Sequence, residues 1–367
     1  MINLRRVIVR RAAATLAAGA LISTAVAGTA YAAPAADSGT WLSHQLTDGL
    51  VHNNQYKFDD YGLTADTALA LSALGGQSAG VRDIRKALAQ HVDSWTTGVD
   101  YGSDDIYSGS TAKAVVVAQT TGADPRHFGG VNLVGRLRAR VSDTAPTVGR
   151  LQDRSATDYA NTIGQAFAAR GLSVAGASEA PDAVRFLLAQ QCSAGYFRLT
   201  FADPTAADQS CDAGDPGSTS APDTDVTALA VLNLEAVPHK TSAVKTAITG
   251  GVRWLKRNQK TNGSFGGGTA TEASNSNSTG LAGWALGING VCGAAAKAAS
   301  WVRGLQVSGT VAGTPFAGEK GAIAYDRAAY KAAKTDGIGK AQRDQWRRAT
   351  AQASPALRYL HTSACSG

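Results

Sequence analysis

Asp223 and Asp225 flank Thr224 in the run Asp223-Thr224-Asp225-Val226-Thr227-Ala228, directly before an apolar stretch that ends at Leu234. Two carboxyls this close can share proton-transfer work, because burial and mutual repulsion both favour the neutral acid. The same spacing suits a helix start, where an acid accepts orphan backbone N–H groups and complements the helix dipole. Capping is the favoured reading. Ser220 and Ser155 precede Asp223 and Asp158 by three residues, a loose capping-box pattern with Asp in place of Glu. Asp59, Asp60, Asp104 and Asp105 form a second set of acids that paired carboxylate chemistry could use on glycosides. Acids at turns are usually solvated, so this use is the weaker one. The segment NNQYKFDDYGLTAD, residues 53–66, mixes aromatics with acids ahead of a helix, as a pocket rim would.

Other chemistries lack their spacing. There is no G-x-S-x-G elbow, phosphate-binding loop or H-E-x-x-H pair. The cysteines Cys192, Cys211, Cys292 and Cys365 lack zinc-ligand spacing and are read as two disulfides, Cys192 with Cys211 and Cys292 with Cys365. No metal and no cofactor is expected. The acidic loop 203–225 has no ordered calcium-ligand pattern. Arg347, Arg348 and Arg358 are read as a solvated outer helix face.

Residues 1–32 read as a secretory signal peptide: four arginines, a long Ala/Leu/Val stretch, then Ala30-Tyr31-Ala32 as a cleavage site. Removing them takes four arginines and no acids, so less than half of the formal charge of +7 remains. That gives no reason to expect a nucleic-acid partner, since such proteins concentrate Lys and Arg on one face. No later run is long and apolar enough to span a membrane. The expectation is a secreted, extracellular monomer, with residues 33–367 forming one domain.

Repeats organise that domain. VRFLLAQQCSAGYF (184–197) and VRWLKRNQKTNGSF (252–265) share V-R-(F/W)-L-x-x-x-Q-x-x-x-G-x-F, and weaker copies start at Trp41 and Trp301. Small-residue helix starts recur with Thr67, Thr111, Tyr159, Thr227, Thr279 and Tyr325 as equivalent points. Between them lie amphipathic stripes such as Val81, Ile84, Leu88 and Val92, or Val244, Ile248, Val252 and Leu255. Ala/Gly/Thr-rich helices with little charge suit an inner position, and the striped ones an outer position. The fold class predicted is all-α, an (α/α)6 toroid of alternating inner and outer helices.

The repeat resembles the QW repeat of squalene and related triterpene cyclases, within the terpenoid cyclase and protein prenyltransferase toroids. The likeness covers nearly the whole chain after residue 32. It implies a structural role for Gln191, Gly195, Phe197, Gln259, Gly263 and Phe265. Class II cyclases carry Asp-x-Asp-Asp-Thr-Ala, whose middle Asp protonates an alkene or epoxide, so the resemblance assigns that role to Asp225. Val226 stands where the motif has its next acid. A cyclase also shelters cations in a dry aromatic chamber, and aromatics are 7% of this chain.

Fold alone does not choose between activities. The preferred expectation is a non-catalytic toroid binding a small molecule, peptide or extracellular polymer at a mouth lined by Asp66, Tyr159, Asp225, Asn277, Trp284 and Tyr325. A divergent class II cyclase using Asp225 as general acid is the alternative.

Overall fold

The computed structural model describes residues 29–309 and 312–365. The expected signal peptide therefore falls almost wholly outside the described residues. Helix α1 (Thr29–Ser43) leads into an antiparallel sheet of β1 (Leu46–Thr47), β2 (Leu50–Asn53) and β3 (Phe58–Asp59), with Leu46 opposite Val51 and His52 opposite Asp59. Helices α2 (Tyr61–Leu74) and α3 (Ser78–Gln90) follow, then the short α4 (Val92–Thr96). Next come α5 (Ser108–Thr120), α6 (Leu133–Arg138), α7 (Thr162–Ala175) and α8 (Ala180–Ala189). The second half holds α9 (Thr224–Glu235), α10 (Ser242–Asn258), α11 (Ser276–Ile288), α12 (Cys292–Arg303), α13 (Arg327–Asp336) and α14 (Lys340–Ala353).

Packing closes the ring. Helix α2 contacts α5, α5 contacts α7, and the chain of neighbours runs through α9, α11 and α14 back to α2. Outside this inner wall, α3, α6, α8, α10 and α12 each pack on the inner helix that precedes them, and α1 packs on α2 and α14. The protein is an all-α toroid. Its inner helices carry buried residues on every side, such as Ala65, Ala68, Ala70 and Leu71 of α2, whereas α3 buries only Ile84, Ala87 and Leu88.

A repeated joint positions the inner helices. In five of the six a buried side-chain oxygen, in the first turn of α2, α7, α9 and α11 and in the last turn of α14, accepts a backbone N–H from the segment leading into the ring. Thr64 Oγ1 accepts from Val51 at 2.9 Å, Thr227 from Phe197 at 2.9 Å, Thr279 from Phe265 at 2.9 Å and Thr350 from Ile323 at 2.8 Å. Gln165 Oε1 does the same for Leu151 at 2.8 Å. Thr227→Val keeps the shape but strands the Phe197 N–H in the core. We expect it to lower the free energy of unfolding by about 1–2 kcal/mol in a urea titration, the cost of one unmade buried hydrogen bond.

This joint corrects the register read from sequence. Thr64, Gln165 and Thr350 stand where Thr67, Tyr159 and Tyr325 were expected. The sixth inner helix is α14, so Tyr325 does not mark an inner-helix start. Tyr325 lies ahead of α13, and its carbonyl accepts the Ser276 N–H. Arg347 is also not on a solvated face. It is 5% exposed and donates from Nη1 to His52 O at 2.7 Å and to Asp344 Oδ1 at 2.9 Å. Arg348 pairs with Asp60 at 3.1 Å, and Arg358 donates to Ala73 O.

The repeat glutamines tie neighbouring outer helices. Gln191 Nε2 donates to Gly195 O and Ala247 O, and Gln259 Nε2 donates to Gly263 O and Ala294 O, all at 2.9 Å. Gln306, in the weak copy after Trp301, donates to Pro34 O at 2.7 Å and so joins α12 to α1. Gly195 and Gly263 have φ of +103° and +90°. A Cβ at Gly263 would lie 2.6 Å from Lys297 O, so backbone meets backbone there and only glycine fits. Phe197 and Phe265 are buried beneath these turns.

Cys192 and Cys211 form a disulfide. Cys292 and Cys365 are free thiols here, which departs from the second expected pairing, although they lie within hydrogen-bond reach of each other. Burial first, then the Cys292 thiol, pushes the Cys365 thiol up to about 12.

Candidate functional site

At the mouth, the two acids do different work. Asp223 is the N-cap of α9, where its Oδ1 accepts the N–H groups of Asp225 at 2.8 Å and Val226 at 3.0 Å. Ser220 is not the cap. Its hydroxyl donates to Cys211 O. Ser155 and Asp158 likewise do not start α7, which Asn161 caps, and Asp158 pairs with Arg150 at 2.6 Å.

Asp225 is one residue into the first turn of α9, and its Oδ1 is buried without a hydrogen-bond partner. Loss of solvent raises its carboxyl from an ordinary 3.8 to about 6; the nearby Ser278 hydroxyl opposes the shift and the Asp223 charge adds to it. Burial also raises Asp223, against two backbone N–H groups that favour its anion. The cover is a glycine run. A Cβ on Gly268 would come within 2.4 Å of Asp223 Oδ2, and one on Gly267 within 3.0 Å of Asp225 Oδ2. Bare backbone therefore lies over both carboxyls where any side chain would collide. Val226, in the place of the motif's further acid, is 1% exposed and packs in the apolar core.

Below the mouth, the ring holds a half-open chamber of about 260 Å³. Leu69 of α2, Phe167 of α7, Leu229 and Leu232 of α9 and Trp284 of α11 supply its apolar wall. Ser72, Thr120, Arg170 and Asn233 add polar groups. Helix geometry links the two regions: Asp225, Leu229 and Leu232 share one stripe of α9, with Asp225 about 6 Å above Leu229 along the axis.

The expected mouth residues divide. Asp225 and Tyr325 come together, and burial first, then the Asp225 charge, raises the Tyr325 phenol. Asn277 Nδ2 donates to Gln352 Oε1 at 2.8 Å, and its own side-chain oxygen is buried and unpaired. Trp284 belongs to the chamber, not to the mouth. Asp66 pairs with Lys113 at 2.5 Å, a partly buried ion pair. Tyr159 is 75% exposed, on the loop before α7, and lies on no inner helix. Of the loop acids, Asp59 contacts His52, Asp60 caps α2 and Asp104 pairs with Arg154. Phe167, Arg170, Leu229, Leu232 and Asn233 were missed. Arg170 left one signal, as the sole charge in the helix TIGQAFAARGLSVA.

No protein-family model matches the chain, and no curated protein matches its sequence. Solved structures do match in shape. A protein from Actinoplanes is 18% identical with a TM-score of 0.58, covering 90% of this chain and 99% of that one. A variant of the type II terpene cyclase MstE from Scytonema, in complex with its substrate geranylgeranyl dihydroxybenzoate, is 15% identical with a TM-score of 0.56, covering 89% and 98%. A glycosidase in complex with glucose is 12% identical with a TM-score of 0.52, covering 90% and 96%. The chain thus has the all-α toroid fold of terpenoid-cyclase-like proteins.

Proposed function

We propose that the protein is a secreted binding toroid that holds a small molecule with an apolar body in the chamber of the ring. The observation that carries this reading is the chamber itself, walled by Leu69, Phe167, Leu229, Leu232 and Trp284 at the meeting of four inner helices. Concave, mostly apolar space with a few polar groups is what small-molecule sites share. MstE, of like fold, binds geranylgeranyl dihydroxybenzoate, a molecule with a long apolar chain. Cleavage after Ala32 leaves Pro34, whose carbonyl holds Gln306, so the mature chain keeps α1 anchored.

Mass spectrometry of compounds extracted from the purified secreted protein tests the proposal. A single compound near one per chain, lost when the protein is unfolded, supports it. A protein that carries nothing and takes up no apolar probe contradicts it.

Asp225 supports a second reading, as the general acid of a divergent class II cyclase. A carboxyl raised to about 6 keeps a minor protonated fraction at pH 7 that could protonate an alkene in the chamber below, where Trp284 and Phe167 could stabilise the cation. Against it, Asp223 is committed to capping and Val226 supplies no second acid. Incubation with squalene, oxidosqualene and prenyl diphosphates separates the two. Cyclised product from the wild type and none from Asp225→Asn would replace binding by catalysis.

In the oxidising compartment, Cys292 and Cys365 join as a second disulfide, each thiol giving up its hydrogen to the ambient oxidant. Alkylation of the unfolded, unreduced protein is then expected to label no cysteine. Labelling at Cys292 and Cys365 would contradict the pairing.

A further inference from the structure

Arg170 is the one formal charge among the residues that line the chamber, and it has no counter-charge. Among the described residues no carboxylate pairs with it. Its Nη2 donates to Thr120 Oγ1 at 2.9 Å, while Nε is buried without a partner. Every other arginine brought into the inner ring is compensated: Arg347 by Asp344, Arg348 by Asp60, Arg343 by Glu319. Desolvation alone lowers the Arg170 pKa, with no acid near enough to oppose it. An unpaired, partly buried guanidinium is costly in the empty protein, and an anion that entered the chamber would remove that cost.

We infer that the chamber ligand is an amphiphile with one carboxylate head, held by Arg170, and an apolar body lying against Phe167, Leu229 and Trp284. This rests on the binding reading above and specifies its ligand class. One guanidinium and no second cation on the lining balances a single negative charge, which fits a carboxylate and not a diphosphate. A chamber of about 260 Å³ holds roughly eight or nine water-sized groups, at roughly 30 Å³ each. Octanoate is therefore a suitable probe, and octanol, which shares its chain, is the neutral control.

Calorimetric titration of the full mature protein with both probes tests the inference. The wild type should bind octanoate at least about tenfold more tightly than octanol, because charge-assisted hydrogen bonds are about twice as strong as neutral ones. Arg170→Gln should bring the two affinities within about twofold, by weakening octanoate and leaving octanol unchanged, and Arg170→Lys should restore part of the preference. A thermal melt shows that each variant is folded. Equal affinities in the wild type, or a preference that survives in Arg170→Gln, would overturn the carboxylate assignment while leaving the chamber as an apolar site. If neither probe binds, the chamber reading itself fails and this inference goes with it.

Discussion

Leu229→Trp is expected to reduce affinity for any chamber ligand by at least about 100-fold, close to 2.8 kcal/mol at 1.4 kcal/mol per factor of ten. Leu229 lies on the lumen stripe of α9, where its half-buried side chain packs on the core on one side and borders the chamber on the other. An indole there occupies volume the ligand needs. The indole can extend into the cavity, so the overpacking cost is confined to the contacts Leu229 already makes with the core. The melting temperature should move by only a few degrees. Tyr159→Ala is the matched control, since Tyr159 is 75% exposed on a loop and should leave affinity unchanged. Fluorescence titration with an apolar probe reads both. If Tyr159→Ala abolished binding and Leu229→Trp did not, the ligand would sit at the rim and not in the chamber.

Asp225→Asn is expected to stabilise the protein at pH 7, by about 2 kcal/mol. A rise from 3.8 to about 6 means that the folded state holds the Asp225 proton more tightly than the unfolded chain does. The folded protein therefore binds more protons between about pH 4 and 6, and this group's contribution to stability falls as pH rises through that window. At pH 7 the full penalty for a buried anion is present. At about 1.4 kcal/mol per unit it would approach 3 kcal/mol, and the carboxyl's residual solvent contact trims it. Asparagine copies the neutral acid, so the variant should lose this part of the pH dependence, leaving the smaller slope of the same sign that Asp223 supplies. Unfolding midpoints measured from pH 4 to 8 check it. A variant less stable than wild type at pH 7 would show that the Asp225 anion is favoured in the fold.

The ring was legible in the sequence where local chemistry and position agreed. Thr227 and Thr279 were aligned correctly because each follows its cap by four residues, and Asp223 and Asn275 are good caps. Tyr159 and Tyr325 were misaligned because acids and small residues occur as freely in the preceding loops as at helix starts. At the third joint glutamine replaces threonine, and a longer side chain reaches the same N–H. Helix α14 hid for a different reason. KAQRDQWRRATAQA reads as a charged outer helix, and Asp344 pairs locally with Arg347, yet the other partners of its arginines, Glu319, Asp60 and the carbonyl of His52, come from distant parts of the chain. No local pattern contains those distant partners. The chamber was unreadable because it is made of one or two turns from each of several helices, and which faces converge is settled by the closed packing. Arg170 was visible as an odd charge, but its lack of a partner is a three-dimensional fact.

The most direct measurement is a crystal structure of the mature protein soaked with octanoate bromine-labelled at the chain end, the halogen located by anomalous scattering. The account predicts one bromine site enclosed by Phe167, Leu229 and Trp284, with the carboxylate against Arg170. Bromine found only on the outer helices, with ordered water filling the chamber, would contradict it.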